Sequence, residues 1–163
     1  MSTGASGQVA EECSRLAATV SKAVRQQRRT VAVAESLTSG NLASHLGAAE
    51  AASDWFLGGV IAYAKSVKFS LLGVDPGPVV TALCATQMAQ GVARLTGADL
   101  AVAVTGVGGP HDEEGRPVGS VFIALKSAGR MQVEECHFDG GPSEVVAATT
   151  LQALRMLANA ATG

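Results

Sequence analysis

Aromatic residues are scarce in this chain: one Trp, one Tyr and four Phe among 163 residues, although 47% of the residues are hydrophobic. Alanine, valine, leucine and glycine must therefore build the core, and small side chains suit helices that pack closely onto a sheet. A chain of this length can bury one sizeable core, so we expect a single domain over residues 8–163. The small and polar residues 1–7 (MSTGASG) are expected to be disordered.

Positive charge, paired cysteines and long apolar runs are scarce as well. The formal net charge is −2, and the one basic run, 25–29 (RQQRR), falls at the end of a predicted helix, where cations complement the helix dipole. No nucleic-acid partner is therefore indicated. Cys13, Cys84 and Cys136 stand far apart without a Cys-x-x-Cys pair, which indicates neither zinc nor a disulfide framework. With neither a signal peptide nor the ~20 apolar residues of a membrane span, we expect a cytoplasmic protein with no membrane partner.

Metal ligands are not grouped in the sequence. His45, His111 and His137 fall in unrelated segments without metal-ligand spacing. The acidic residues 112–114 are expected to form a solvated surface. The sequence therefore predicts no metal site.

Apolar periodicity predicts alternating helices and strands. Helical spacing extends over 9–28, and short, continuously apolar runs at 30–34 (TVAVA) and 100–104 (LAVAV) are typical of strands that are covered on both faces. Further strands are predicted at 60–63, 120–125 and 132–138, and further helices at 40–46, 64–72, 81–95 and 143–158. Because two strands follow each other directly, the predicted fold is a three-layer α/β/α sandwich with a mixed, mostly parallel sheet.

Polar segments follow three of these strands, at the sheet edge where α/β domains bind ligands. The segment 35–40 (ESLTSG) offers hydroxyl groups as nucleophile and donors, although Ser and Thr are also the preferred helix caps. The segment 63–68 (YAKSVK) contains the only tyrosine and a lysine that could act as a base if buried, whereas most lysines lie on the surface. The glycines of 105–110 (TGVGGP) let backbone amides approach an anion, but the segment matches neither a Walker A loop nor a dinucleotide fingerprint.

Together these segments resemble the CinA C-terminal domain family, whose members include bacterial nicotinamide mononucleotide amidohydrolases. The matching stretches are AESLTSG at 34–40, WFLGGVIAYAKSVKFSLLGV at 55–74, GADLAVAVTGVGGP at 97–110 and RPVGSVFIA at 116–124. They occur in the family's order and spacing, and the set carries the resemblance. Longer members of the family have an upstream molybdopterin-binding-like domain, so a chain of this length looks like the stand-alone form.

The resemblance implies hydrolysis of the carboxamide of nicotinamide mononucleotide, which gives nicotinic acid mononucleotide and ammonia without a metal or another cofactor. Ser36 matches the nucleophile, Lys68 the lysine that activates it, and Tyr63 the tyrosine that completes the proton network. The residues that match or adjoin positions lining the nucleotide pocket are Thr38, Ser39, Gly40, Thr105 and Gly106. The family also implies a homodimer.

Three stretches depart from the family's pattern. AESCTGG becomes AESLTSG at 34–40, and Tyr-Ser-Asn-x-x-Lys becomes YAKSVK at 63–68. Near the last strand, Phe-x-Gly-Asp-Arg becomes FDGGP at 138–142, so Pro142 stands where the family often has an arginine. Arg116 and Lys65 are the candidates to supply the missing positive charge.

Two other hypotheses stay open. The first is a catalytically impaired, nucleotide-binding module of the same family, which Pro142 favours. The second is a purely structural or interaction domain, because helices rich in small residues, such as GAAEAA at 47–52, can pack tightly against a second copy.

Overall fold

The computed structural model describes residues 3–163, in which five strands form one sheet with helices on both faces. The strands are β1 (Val31–Glu35), β2 (Phe56–Ile61), β3 (Leu100–Gly106), β4 (Ser120–Ser127) and β5 (Arg130–His137). The helices are α1 (Thr3–Gln27), α2 (Asn41–Gly47), α3 (Ala52–Trp55), α4 (Lys65–Leu72), α5 (Ala82–Thr96) and α6 (Pro142–Thr162). The predicted three-layer α/β/α sandwich is confirmed.

The sheet has the strand order β2-β1-β3-β4-β5. β1 pairs in parallel with both β2 and β3, whereas β4 pairs antiparallel with β3 and with β5. Only β4 among these strands runs against the others, so the mixed, mostly parallel sheet is confirmed. Because the chain leaves β1 for β2 on one side and later returns to β3 on the other, the carboxyl end of β1 lies at a topological switch point, where α/β sheets form ligand-binding crevices.

The two faces of the sheet carry side chains of different size. Toward α1, α2 and α6 the strands present the branched side chains Val31, Val33, Leu100, Val102, Val104 and Ile123. Toward α4 and α5 they present mainly alanines: Ala32, Ala34, Ala101, Ala103 and Ala124. Since alanine adds one methyl group to the backbone, the alanine face lets α5 pack close to the strands.

The start of α1 differs from the prediction. Residues 3–7 are helical, so the expected disorder of 1–7 is wrong there, and residues 1 and 2 lie outside the described residues. The physical reason is a tertiary surface: Ala5 and Val9 of the first turns lie beside Ala147 and Leu151 of α6. A neighbouring helix stabilises a segment whose own composition is not strongly helical.

The edge strand β2 also differs from the prediction. It covers Phe56–Ile61 rather than 60–63, and the short helix α3 before it was not predicted. Gly58 and Gly59 interrupt the apolar pattern that would have revealed the strand. Gly59 is required there, because an added Cβ would overlap the carbonyl oxygen of Val33 in β1. Within residues 3–163, no helix is both long enough and apolar enough to cross a bilayer.

Candidate active site

Ser36 lies directly after β1, at the switch point of the sheet. Its side chain is buried, and its hydroxyl oxygen faces the amine of Lys68 at 3.0 Å. Thr105, near the carboxyl end of the adjacent strand β3, lines the same cavity. The fold therefore brings together residues from three predicted segments at one edge of the sheet.

Glu35 holds the turn that carries Ser36, a role that was not predicted from the sequence. Its carboxylate is fully buried and accepts hydrogen bonds from the backbone N–H groups of Gly40 (3.2 Å), Leu42 (3.0 Å) and Ala43 (2.9 Å). It also accepts one from the Thr38 hydroxyl at 2.6 Å. These amides are the unpaired donors at the start of α2, so Glu35 acts as its N-terminal cap from outside the helix.

This arrangement places the predicted substrate-binding residues of the first segment away from the cavity. The Thr38 hydroxyl and the Gly40 amide are both engaged by Glu35, and Ser39 is exposed with a φ of 50°. None of the three is among the residues that line the cavity. Their proposed contact with substrate stays a prediction, whereas their contribution to the turn is visible.

Lys68 is only 2% exposed and belongs to the first turn of α4. Because helical side chains lean toward the N-terminus, its amine reaches back to the end of β2. There it donates to the carbonyl oxygens of Ala62 (2.7 Å) and Tyr63 (3.0 Å). Desolvation by burial lowers the pKa of Lys68 below its ordinary value of 10.5, against smaller opposing effects of the neighbouring acidic side chains.

Tyr63 contributes its backbone to this network. Its carbonyl oxygen is the atom that contacts Lys68, and the residue lines the cavity while remaining 67% exposed. It lies two residues beyond β2 rather than at the end of a strand.

The opposite wall of the cavity comes from β3 and α5. The Thr105 hydroxyl donates to the carbonyl oxygen of Val79 at 2.8 Å, which fixes the loop before α5. Thr81 caps α5, and its hydroxyl accepts from the Cys84 amide at 3.0 Å. Burial raises the pKa of the Cys84 thiol to about 11, so this thiol is neutral beside the amine.

The acidic segment 112–114 is not uniformly solvated, which corrects the prediction. Glu114 lies on a surface loop, but its side chain is only 18% exposed. Its carboxylate accepts from the amides of Val79 (2.9 and 3.0 Å) and Val80 (2.8 Å) and pairs with Lys65 at 3.0 Å. The physical reason is that these amides, in the loop before α5, offer a carboxylate better partners than water does.

The two candidate replacements for the missing arginine differ in position. Lys65 lines the cavity and pairs with Glu114, whereas Arg116 pairs with Glu135 at 3.2 Å and stacks over the ring of Phe122. Arg116 is not among the lining residues. Pro142 is the first residue of α6 and packs close to Gly109 of the glycine-rich loop.

The cavity at Ser36 measures about 160 Å³. Its lining residues are Ser36, Leu37, Tyr63, Lys65, Lys68, Val79, Val80, Thr105, Gly106, Gly108, Gly109 and Glu113. A larger cavity of about 630 Å³ lies near the C-terminal end of α1, but the cations along it include Arg29, whose guanidinium donates to the Ala161 carbonyl at 2.8 Å. We assign the site to the smaller cavity, because it alone of the two contains a buried nucleophile and base in contact.

Side chains that could bind a metal are not grouped in the part of the chain that the structure describes. Across residues 3–163, no group of three or more His, Cys, Asp or Glu side chains is placed to hold a metal ion. The charged groups around Ser36 are amines and carboxylates that pair with backbone groups or with each other.

Known proteins are similar to this chain in both sequence and fold. The family model of the CinA C-terminal domain matches residues 13–161. A CinA-like protein of Rippkaea orientalis is 43% identical over 130 residues, which are 76% of this chain and 31% of that protein. The crystal structure of competence damage-inducible protein A from Klebsiella pneumoniae has a TM-score of 0.87 at 31% identity, with 90% of this chain and 95% of that chain covered. This chain spans about a third of the length of the curated relatives it matches.

Proposed function

The chain belongs to the CinA C-terminal domain family, and we propose that it hydrolyses the carboxamide of nicotinamide mononucleotide to nicotinic acid mononucleotide and ammonia. Ser36 is the nucleophile of this proposal and Lys68 its base. One observation carries it: the Lys68 amine lies 3.0 Å from the Ser36 hydroxyl oxygen and is almost completely shielded from water.

The proposal requires the neutral amine of Lys68, although the three oxygens around Nζ, two carbonyls and Ser36 Oγ, are also the acceptors that an ammonium group would use. A neutral amine has two N–H bonds and one lone pair, and two carbonyl oxygens at 2.7 and 3.0 Å accept those bonds. The lone pair is then free to face the hydroxyl of Ser36 and to accept its proton. The lowered pKa of Lys68 supports this protonation state.

The reaction then proceeds through an acyl-enzyme. Ser36 Oγ attacks the carboxamide carbon while its proton passes to Lys68 Nζ, and the tetrahedral intermediate collapses as Lys68 returns the proton to the departing nitrogen. Ammonia leaves and an ester to Ser36 remains. Lys68 next takes a proton from water, and the resulting hydroxide attacks the ester carbon. When the second tetrahedral intermediate collapses, the bond to Ser36 Oγ breaks and Lys68 returns its proton to that oxygen. The acid product leaves as the carboxylate, with its proton passing to solvent. Backbone amides beside Ser36 would stabilise the oxyanion, an effect worth about 3 kcal/mol per donor.

The remaining predicted residues and the assembly also belong to the proposal. Thr105 and Gly106 line the cavity, and Tyr63, which is largely exposed, lies at its opening. The proposal includes a cytoplasmic homodimer. Leu57 (47% exposed) and Ile61 (53% exposed) on the edge strand β2 are apolar groups that a second copy would cover. Light scattering should then give twice the 16.4 kDa mass of one chain.

The test is release of ammonia from nicotinamide mononucleotide by the purified protein. Ser36→Ala should abolish it, and Ser70→Ala, an exposed serine of α4 outside the cavity lining, is the matched control. If the wild type and Ser36→Ala are equally inactive at high protein concentration, the proposal fails.

One observation favours a second candidate, a nucleotide-binding module without turnover. Pro142 occupies the position of the family's arginine, and no arginine belongs to the described residues that line the cavity. This candidate expects saturable heat on titration with nicotinamide mononucleotide and no ammonia. Absence of heat together with absence of ammonia would exclude it.

A further inference from the structure

The contacts of Glu114 form an anion site inside the candidate active site. The amides of Val79 and Val80 point at one carboxylate, whose oxygens lie 2.8–3.0 Å from the two nitrogens. The Lys65 amine completes the site at 3.0 Å. Val79, Val80 and Lys65 all line the cavity that holds Ser36, whereas Glu114 reaches them from the loop after β3.

We propose that these two amides and the Lys65 amine form the subsite for the phosphate group of the substrate, and that Glu114 occupies this subsite until a phosphate monoester displaces it. The inference rests on the proposed function for the identity of the substrate. It goes further by naming how the phosphate is held and what it competes with.

The amides are prepared for an anion by the surrounding fold. They precede Thr81, the cap of α5, so they are loop donors and not the unpaired amides of the helix itself. The Thr105 hydroxyl donates to the carbonyl oxygen of Val79, which fixes the orientation of this peptide. Adjacent backbone N–H groups held in this way make an anion-binding concavity.

A phosphate monoester matches this site better than a carboxylate does. It presents three acceptor oxygens and a charge of about −1.5 to −2 at neutral pH, against two oxygens and a single charge for Glu114. Burial raises the pKa of Glu114, but the hydrogen bonds from Val79, Val80 and Lys65 together have the larger effect. They bring the pKa below its ordinary value of 4.5. Glu114 is therefore an anion at neutral pH and a true competitor.

The segment that carries Glu114 is a small turn closed by its own backbone hydrogen bonds. Glu113 and Arg116 bond to each other through both backbone pairs, at 3.1 and 2.8 Å, which makes a tight turn. Within this turn Glu114 has a φ of 53° and Gly115 a φ of 72°. Glu113 also lines the cavity, so displacement of the turn removes two negative charges from the path of a phosphate.

The first experiment compares two substrates that differ only in the phosphate. Lys65→Met should raise KM for nicotinamide mononucleotide by about tenfold relative to KM for nicotinamide riboside measured with the same variant, in keeping with loss of a charge-assisted hydrogen bond. Glu114→Gln should lower this ratio of the two KM values by about tenfold. Taking the ratio removes any effect of the two charges on Lys68, which acts on both substrates alike. Lys22→Met, on the exposed surface of α1, is the matched control.

Two kinetic outcomes would overturn the subsite. Equal effects of Lys65→Met on both substrates would show that Lys65 acts on the reaction rather than on the phosphate. A higher KM for the mononucleotide in Glu114→Gln would show that Glu114 is a clamp that must stay in place. Far-ultraviolet circular dichroism of each variant separates these outcomes from loss of the fold, and Lys65→Met remains decisive if Glu114→Gln does not fold.

Calorimetry separates failure of the subsite from failure of the proposed function. Inorganic phosphate is titrated into Ser36→Ala, into Ser36→Ala with Glu114→Gln, and into Ser36→Ala with Lys65→Met. The subsite predicts tighter binding in the second protein and weaker binding in the third, whether or not the wild type releases ammonia. If phosphate binds all three equally while the wild type hydrolyses the mononucleotide, the subsite is wrong and the proposed function stands.

Discussion

Replacing Glu35 with glutamine perturbs the turn that positions Ser36 without changing the size of the side chain. In the wild type, one carboxylate oxygen accepts from Thr38, Gly40 and Leu42, and the other accepts from Ala43 at 2.9 Å. An amide has only one accepting oxygen. In either orientation of the amide, at least one backbone donor of α2 then faces an N–H₂ group.

The magnitude follows from those contacts. In the better orientation the variant keeps three bonds and leaves the partly buried Ala43 amide without an acceptor, which costs about 1–3 kcal/mol. Loss of the negative charge at the start of α2 removes about 0.3–1 kcal/mol more. We therefore expect Glu35→Gln to lower the free energy of unfolding by about 1–4 kcal/mol.

The assay is urea unfolding at neutral pH followed by circular dichroism. Thr38→Val, which removes one hydroxyl donor and leaves the three amides bonded, is the matched comparison and should cost about 1 kcal/mol. Two results would refute the assignment of Glu35 as the cap of α2. One is a loss of unfolding free energy of less than about 0.5 kcal/mol for Glu35→Gln, the lower end for a single hydrogen bond. The other is a loss for Thr38→Val that exceeds the loss for Glu35→Gln.

Three further predictions concern the base, the packing of α5 and the acidic turn. Because only the neutral amine of Lys68 accepts a proton, a pH–rate profile should show kcat/KM rising with pH through a pKa below 10.5. The Lys68→Arg variant should show no such rise, and its rate should be lower by about 10²–10⁴-fold. Gly91→Ala should lower the free energy of unfolding in urea, although alanine favours helices by about 1 kcal/mol, because its Cβ would overlap the Leu72 carbonyl oxygen. Gly47→Ala, whose Cβ meets only a Phe56 carbon at 3.9 Å, should be tolerated. Glu114→Gln should be less stable than the wild type at neutral pH, and acid titration of stability should show this difference vanish as pH falls through the lowered pKa of Glu114.

The buried strands could be predicted because their physics is local. The runs at 30–34 and 100–104 are apolar at every position, which is what strands covered on both faces require, and they correspond to β1 and β3. Likewise Gly73 and Gly97 end α4 and α5 in left-handed conformations. The predicted bounds of the edge strand β2 lie too far along the chain. Its glycines are required by the close approach of β1, which no local sequence pattern indicates.

The polar network was harder to predict for a related reason. Ser36 and Lys68 stood out by residue type, and the fold brings them into contact. Glu35 and Glu114 did not, because carboxylates are usually solvated and their partners here are backbone amides. The amides bound by Glu114 lie 34 and 35 residues away in the chain. For Glu35 a signal did exist: an acidic residue just before a helix start is a favourable partner for its unpaired amides.

The alanine face of the sheet has a consequence beyond packing, because it also affects the hydration of the Lys68 amine. α5 carries Cys84, one of the groups beside Lys68, and the thin alanine layer is what allows this helix to sit near the strands. A bulkier side chain at Ala103 would thicken that layer and displace α5. Water that entered the resulting gap would solvate the ammonium form and restore the ordinary basicity of Lys68. The spacing between α5 and the sheet, which these alanines set, therefore contributes to the basicity of Lys68.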